Sequence, residues 1–428
     1  MESGNSGKER ALLVSCSLKS NSKNLNPDEW LVEPKDSMDE LAFLTSSAGA
    51  EVVGRLFQER ERIDPAFFIG RGKMGELQEE QKQLKADVVV FDENLSPAQL
   101  RNIERKVDCK VIDRTQLILD IFAHRARTRE GKLQVELAQL NYLLPRLAGR
   151  GVELSQMGGG IGTRRGPGET KLETDQRKIH KRIHKIKEEL EHVRSHRHLH
   201  RSFRSSIPIP TISLVGYTNA GKSTLFNALT GAGTYASDQL FATLDPLLRR
   251  LKLPSKREVI LTDTVGFINK LPPTLVSAFR ATLEEIGEAD LLVHVIDISS
   301  PRFKQQRSAV LKVLQELGYS AKTVIEVYNK MDLVGDDVNP KSHAGPVYVS
   351  ALQGRGFPAL LEKIDLLLPA DPIVTAKLLF SQENGALLSQ LYARGKLIRR
   401  SYLEDKILVE VEAPRSMIDR LKAFRVEA

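Results

Sequence analysis

Residues 216–223 read Gly-Tyr-Thr-Asn-Ala-Gly-Lys-Ser, which matches the pattern G-x-x-x-x-G-K-[ST]. The apolar run before it, residues 212–215, is typical of a strand, and residues 224–229 are typical of a helix start. This order favours a phosphate-binding loop, whose backbone N–H groups and helix N-terminus attract phosphate oxygens. The predicted nucleotide contacts here are Gly216, Tyr217, Thr218, Asn219, Ala220, Gly221, Lys222, Ser223 and Thr224.

A second motif, Asn-Lys-Met-Asp at residues 329–332, follows another apolar run and indicates which base is bound. The Asp332 carboxylate can accept hydrogen bonds from both N1–H and the exocyclic amine of guanine, a donor pair that adenine lacks. Two charge-assisted bonds of about 1.5–3 kcal/mol each favour guanine by roughly 100-fold or more. We expect Asn329 to bond the base edge, the Lys330 stem to cover the ring, and a backbone N–H of residues 350–352 to meet the guanine carbonyl. The predicted base contacts are Asn329, Lys330, Met331, Asp332, Ser350, Ala351 and Leu352.

Two further segments supply the expected Mg²⁺ and γ-phosphate contacts. After an apolar run comes Asp263-Thr264-Val265-Gly266, in which Asp263 would hold Mg²⁺ through water and the Gly266 N–H would sense the γ-phosphate. Between this motif and the phosphate-binding loop lies Phe241-Ala242-Thr243-Leu244-Asp245. Thr243 is either a Mg²⁺ ligand in a loop that orders with GTP or a plain loop threonine. We predict Ser223 and Thr243 as metal ligands, and Lys222, Thr243 and Gly266 as catalytic residues.

Phe267 stands where many GTPases place a glutamine that orients the attacking water. Phenylalanine cannot do this, so we expect slow unassisted hydrolysis and a partner, ion or residue that completes the site. Asn219 suggests K⁺ as such an ion, by analogy with GTPases that carry asparagine at this position. The alternative is that Asn219 only shapes the loop.

Composition limits the class of protein. A length of 428 residues predicts roughly two to four domains, and 41% hydrophobic with 28% charged residues fits soluble globular domains. Only Cys16 and Cys109 occur, so we expect no disulfides and a cytoplasmic location. No apolar run is long enough for a transmembrane segment, and no signal peptide is evident. A net charge of +8 suggests a polyanionic partner.

The regions on either side predict three more domains. Alternating strands and helices over residues 9–113 indicate a parallel or mixed α/β domain, and residues 371–428 indicate a small α+β module. The glycine-rich stretch 70–75 lacks fingerprint spacing, which favours a helix start over a second phosphate site. We therefore expect an N-terminal α/β domain (1–113), a helical coiled-coil hairpin with a Gly-rich loop at 149–168 (114–206), a P-loop GTPase domain with a Ras-like parallel sheet (207–369) and a small α+β C-terminal domain (370–428).

Two leucine-rich and isoleucine-rich stripes at heptad spacing predict the hairpin. They consist of Leu133, Leu137, Leu140, Leu144 and Leu147, and of Leu172, Ile179, Ile183, Ile186, Leu190 and Val193. The loop between them holds eight glycines, and residues 171–204 carry 11 Lys/Arg against 5 Asp/Glu. The loop tip and the basic helix suit RNA, although a disordered connector and a solvated face stay possible. A metal site at His196, His198 and His200 is disfavoured, since alternate positions do not share a helix face.

The order of these parts resembles the HflX family over about residues 10–369. The specific element is the stretch Gly158-Gly159-Gly160-Ile161-Gly162-Thr163-Arg164-Arg165-Gly166-Pro167-Gly168-Glu169-Thr170, and the motifs at 241–245 and 263–267 also match. The resemblance implies a GTPase that uses Mg²⁺, is stimulated by ribosomes and binds the large ribosomal subunit (rRNA) near the peptidyl-transferase centre. It also implies that the protein can split stalled ribosomes under stress.

Two alternatives stay open at this point. One is a GTPase of ribosome assembly or RNA modification, and the other is a signalling switch whose hairpin binds a protein without nucleic acid. The basic bias of residues 171–204 argues against the switch. We expect a monomer that binds GTP and GDP.

Overall fold

The structure is a computed structural model, and the part of it that can be described is discontinuous. It describes residues 8–19, 34–147, 167–205, 209–231, 241, 246–270, 285–334, 345–368, 373–381, 384, 387–388, 391–392, 395–403 and 406–426. The predicted tip of the hairpin and Ala242, Thr243, Leu244 and Asp245 lie outside these residues. None of the helices within these ranges has the length and apolar character needed to cross a membrane.

The N-terminal part is a parallel α/β layer. Its elements are β1 (Arg10–Leu18), α1 (Pro34–Ser47), β2 (Glu51–Arg60), α2 (Arg71–Leu84), β3 (Val88–Phe91), α3 (Pro97–Val107) and β4 (Lys110–Asp113). The sheet order is β2-β1-β3-β4, and every pairing is parallel. Helix α2 begins directly after Gly70, in agreement with a helix-start turn at the glycine-rich stretch. Helix α3 begins with a capping box between Ser96 and Gln99 and with Pro97 at its first turn.

Three helices follow, α4 (Arg114–Arg125), α5 (Arg129–Leu147) and α6 (Pro167–Ser205). The predicted seam is present in part, because Leu133 packs with Ile186 and Leu190, and Leu137 and Leu140 lie against this cluster. Two nitrogens of the Arg182 guanidinium each donate to the Glu136 carboxylate at 2.6 Å across the helix pair. The apolar spacing thus fixes which face of α6 turns towards α5.

The central part is built on a six-stranded sheet with the order β10-β9-β8-β5-β7-β6. Its elements are β5 (Thr211–Gly216), α7 (Lys222–Thr230), β6 (Leu247–Lys252), β7 (Glu258–Asp263), β8 (Leu291–Asp297), α8 (Phe303–Glu316), β9 (Val324–Asn329), β10 (Val347–Tyr348) and α9 (Phe357–Leu367). Only β6, which the sequence did not predict, runs antiparallel to its neighbour. The carboxyl ends of the parallel strands meet at one edge, where ligands of such sheets bind.

The C-terminal part is a small antiparallel sheet with helical turns. It contains β11 (Ile373–Ser381), β12 (Lys396–Leu403), β13 (Lys406–Pro414), α10 (Arg415–Arg420) and a 3-10 helix (Lys422–Phe424), with the strand order β11-β13-β12. The helical part after β13 therefore consists of two short pieces. The domain boundaries stay predictions.

One apolar core joins the N-terminal part to the central part. Leu41 of α1 and Phe122 of α4 belong to the same buried cluster as Phe267 and Leu292 of the central part. The ring of Phe122 meets that of Phe241 edge-on, with centroids 4.6 Å apart. The segments predicted to bind nucleotide therefore pack on the N-terminal layer.

Candidate functional site

The loop between β5 and α7 requires glycine at both of its ends. A Cβ on Gly216 would lie 2.3 Å from the backbone oxygen of Val295, in the neighbouring strand. Gly221 has φ +90°, and a Cβ there would lie 2.2 Å from Nδ2 of Asn329. Strand packing and one buried amide thus fix the path of the loop.

Lys222 is held inside this loop. Its side chain is buried, and Nζ donates to the backbone oxygens of Gly216 (3.2 Å) and Tyr217 (2.9 Å). Burial lowers the pKa of Lys222 to about 8, although the nearby Asp263 carboxylate acts in the opposite direction. An anion bound here would favour the charged amine. The position therefore suits phosphate, and the phosphate contact of Lys222 stays a prediction.

Oxygen groups lie next to this amine. Ser223 Oγ donates to Asp263 Oδ2 at 2.7 Å, and Asp263 is 0% exposed. The hydroxyl of Thr218 is buried and finds no partner among the residues that the structure describes. Hydroxyl and carboxylate oxygens are the ligands that Mg²⁺ prefers, so Ser223 and Asp263 fit a magnesium site. Thr243, the other predicted ligand, lies outside the described residues.

The base side of the site is organised by Asn329, which is buried at the end of β9. Its Nδ2 donates to the backbone oxygen of Ala220 at 2.9 Å, and its Oδ1 accepts the Ala351 N–H at 3.0 Å. Asn329 thus joins the two loops, and its expected contact with the base edge stays a prediction. The amide nitrogen and the amide oxygen of this short side chain are both hydrogen-bonded to backbone groups.

The remaining base-reading residues lie beside Asn329. Lys330 has φ +63° and forms an ion pair with Asp297 at 2.7 Å, so its stem is oriented. Asp332 is half-buried in a 3-10 helix, Met331–Leu333. Ser350 and Ala351 donate their backbone N–H groups within the protein, whereas Leu352 is 81% exposed. The assignment of Asp332 as the guanine reader stays a prediction.

The segment after β7 lies directly against the phosphate-binding loop. The Phe267 N–H donates to Gly216 O at 3.0 Å, and the Thr218 N–H donates to Phe267 O at 2.8 Å. The side chain of Phe267 is buried in the core shared with the N-terminal part. It therefore packs in apolar surroundings, which agrees with the expectation that it does not orient water.

Sequence reasoning missed Asp297 and several residues of the N-terminal part. Asp297 ends an apolar strand, which is the same signal that singled out Asp263. Glu40 and Arg114 contact Tyr217 and the Asn269 backbone, respectively. No local pattern marks these two residues, because their partners lie far along the chain.

Comparison with known proteins places this geometry in a family. Three family profiles match, "GTP-binding GTPase N-terminal" over residues 35–123, "GTP-binding GTPase Middle Region" over 125–204 and "50S ribosome-binding GTPase" over 211–330. The chain is 50% identical to the GTPase HflX of Caldanaerobacter subterraneus subsp. tengcongensis, over 92% of this chain and 91% of that protein. The chain belongs to the HflX family of GTPases.

A second relative identified by sequence supports this assignment. The GTPase HflX of Escherichia coli (strain K12) is 44% identical over 91% of this chain and 92% of that protein. A GTP-binding protein from Sulfolobus solfataricus, solved in complex with GDP, is 26% identical, covers 85% of this chain and 99% of its own, and has a TM-score of 0.43. The resemblance to the HflX family, the P-loop and the GTPase activity predicted from the sequence are confirmed.

Proposed function

We propose that this GTPase binds the large ribosomal subunit through the hairpin of α5 and α6 and separates stalled ribosomes under stress. Membership of the HflX family supports a ribosomal partner, and the name of the profile matched over residues 211–330 points in the same direction. The observation that carries the proposal is the surface of α6.

Helix α6 is apolar on one side and basic on the other. Ile183, Ile186 and Leu190 are buried towards α5. The exposed basic side chains are Arg177, Lys178, Lys181, Lys185 and Lys187. Three exposed glutamates, Glu173, Glu188 and Glu191, lie near the ends of this stretch, so its middle is the most positive. Lysine and arginine arranged on one helix face bind RNA phosphates.

For hydrolysis, we propose that water attacks the γ-phosphate while the bond to the β-phosphate breaks. Lys222 and the Gly266 N–H would stabilise the charge on the phosphate oxygens, and Thr243 would complete the switch loop. Ser223 and Thr243, with Asp263 behind them, would hold Mg²⁺, which would supply positive charge to the phosphate groups. K⁺ beside Asn219, which is exposed in the loop, would add positive charge.

Several finer assignments belong to the same proposal. We propose a monomer located in the cytoplasm, where its ribosomal partner is found. The free cysteines Cys16 and Cys109 are consistent with a reducing compartment.

Charge reversal on α6 tests the ribosomal role. A Lys178→Glu/Lys181→Glu/Lys185→Glu variant should lose binding to large subunits at least tenfold, and its GDP affinity should be unchanged. Arg249 and Arg250, both exposed on β6, provide a control variant with Arg249→Glu/Arg250→Glu. Equal binding of the α6 variant and the wild-type protein to large subunits would contradict the proposal. Binding without separation of intact ribosomes would instead favour an assembly role.

A further inference from the structure

A buried cluster of charged side chains connects the N-terminal part to the segment that follows the Asp-Thr-Val-Gly motif. Arg114 is 1% exposed and donates to the Glu40 carboxylate, to Asp92 Oδ1 at 2.7 Å and to the backbone oxygen of Asn269 at 3.2 Å. Burial alone would lower the pKa of Arg114, but Glu40 and Asp92 outweigh it and raise that pKa. Arg114 therefore stays charged and fixed, and Asn269 is held through its carbonyl group.

Tyr217 holds the other backbone group of Asn269. The Tyr217 hydroxyl donates to Glu40 Oε2 at 2.7 Å and accepts the Asn269 N–H at 2.9 Å. Both groups that hold Asn269 are thus bonded to one carboxylate, that of Glu40, which belongs to α1. Lys270 adds an ion pair with Asp92 Oδ2 at 2.6 Å.

The segment held in this way is closed on the phosphate-binding loop. A Cβ on Gly266 would lie 2.8 Å from Thr218 Cα and 3.0 Å from Lys222 Nζ. The Gly266 backbone therefore packs against Thr218 and Lys222 with no room for a side chain. The Gly266 N–H is also the group predicted to sense the γ-phosphate, which GTP carries and GDP lacks.

We infer that Glu40 is a positioning residue for the GTP site. It acts through Tyr217 and Arg114 to hold the Asn269 backbone, and so keeps Gly266 against the phosphate-binding loop. In this role the γ-phosphate displaces the packed segment from the loop, so GTP binding shifts these contacts, and GDP, which lacks that group, leaves them in place. Glu40 thus sets the ratio of GTP to GDP affinity from outside the nucleotide site. This role does not depend on ribosome binding.

Two nearly isosteric substitutions in the full-length protein test this role. Glu40→Gln places an amide against either Arg114 or the Tyr217 hydroxyl, and Tyr217→Phe removes the hydroxyl that joins Glu40 to Asn269. Affinities for GDP and for guanosine 5′-(β,γ-imido)triphosphate are measured by calorimetric titration. We expect the ratio of analogue to GDP affinity to rise about five- to tenfold, which is the effect of losing one or two hydrogen bonds in the closed state. The GDP affinity of the Glu40→Gln protein should stay within about twofold.

Asp39→Asn is the matched control. Asp39 also lies in α1 and reaches the central part, through Arg302 at 3.3 Å, but its hydrogen bonds and ion pairs go to Arg55 and Arg302 rather than to the segment 263–270. Its substitution should leave the ratio unchanged. The effects of Glu40→Gln and Tyr217→Phe should add only in part in the double variant, because both substitutions affect the Tyr217–Glu40 hydrogen bond.

Thermal unfolding of each variant shows whether it is folded. A folded Tyr217→Phe or Glu40→Gln protein with an unchanged or lower ratio overturns the inference. So does an Asp39→Asn protein with the same rise, because the effect would then reflect domain docking in general. If Glu40→Gln does not fold, the ratio for Tyr217→Phe decides the question in the same way.

Discussion

Replacing Gly221 by alanine should weaken the binding of both GTP and GDP. Gly221 has φ +90°, which disfavours any side chain, and the new Cβ would lie 2.2 Å from Nδ2 of Asn329. Asn329 would have to move, and its hydrogen bonds to Ala220 (2.9 Å) and Ala351 (3.0 Å) would break. These bonds join the phosphate-binding loop to the base-reading loop, so both halves of the site are affected.

The magnitude follows from these contacts. Two buried hydrogen bonds contribute about 1 kcal/mol each, and a left-handed alanine costs about 1 kcal/mol. The total cost of about 3 kcal/mol is divided between a lower free energy of unfolding and weaker nucleotide binding. If all of it appeared as weaker binding, the GDP affinity would fall roughly 100-fold. Calorimetric titration with GDP and urea denaturation together measure both shares.

Gly231 provides the control at the other end of the same helix. It has φ +65°, and a Cβ there meets nothing within 4 Å. Gly231→Ala should therefore lose about 1 kcal/mol of stability from backbone strain and keep its GDP affinity. The reasoning is refuted if Gly221→Ala binds GDP and unfolds like the wild-type protein. It is also refuted if Gly221→Ala and Gly231→Ala show the same losses of GDP affinity and of unfolding free energy.

Three further predictions concern single residues of the site. Asp332→Asn should weaken GTP binding by roughly 100-fold and favour xanthine nucleotides, as measured by competition, because the acceptor of the guanine donor pair is lost; unchanged GTP affinity would contradict this role. Because burial lowers the pKa of Lys222 to about 8, GDP affinity should fall above that pH, by up to about tenfold per pH unit, and Lys222→Arg should remove the fall. In the unfolded chain the pKa of Lys222 stays near 10.5, so the free energy of unfolding of the nucleotide-free protein should increase as pH rises above about 8. A GDP affinity that stays constant up to pH ~9.5 would be inconsistent with this titration. GTP turnover should be faster in K⁺ than in Na⁺, and Asn219→Ala should abolish the difference; equal wild-type rates in the two salts would exclude the K⁺ role.

The nucleotide-binding motifs could be predicted because each is short and ends a strand. Gly216, Asp263 and Asn329 each end an apolar strand, and parallel strands bring their carboxyl ends to one edge. The same rule applied to residues 291–296 would have found Asp297. The local role of Asn329 could not be predicted, since it depends on the distance between two loops rather than on its own motif.

The contacts of the N-terminal part with the site could not be predicted from the sequence. Glu40 and Tyr217 are 177 residues apart, and Arg114 and Asn269 are 155 residues apart. Strand β6 was missed for a different reason, since Leu247–Lys252 lies at the edge of the sheet and has no regular apolar alternation. Pairing partners, rather than the residues of the strand itself, determine such an element.

GTP turnover in the presence of intact ribosomes and of each separate subunit tests the proposed function most directly, with sedimentation to follow the subunits. We predict strong stimulation by ribosomes or large subunits and the appearance of free subunits, both lost in the variant with charge reversal on α6. No response to any ribosomal particle would contradict a ribosomal role and would leave a GTPase that acts on a protein partner.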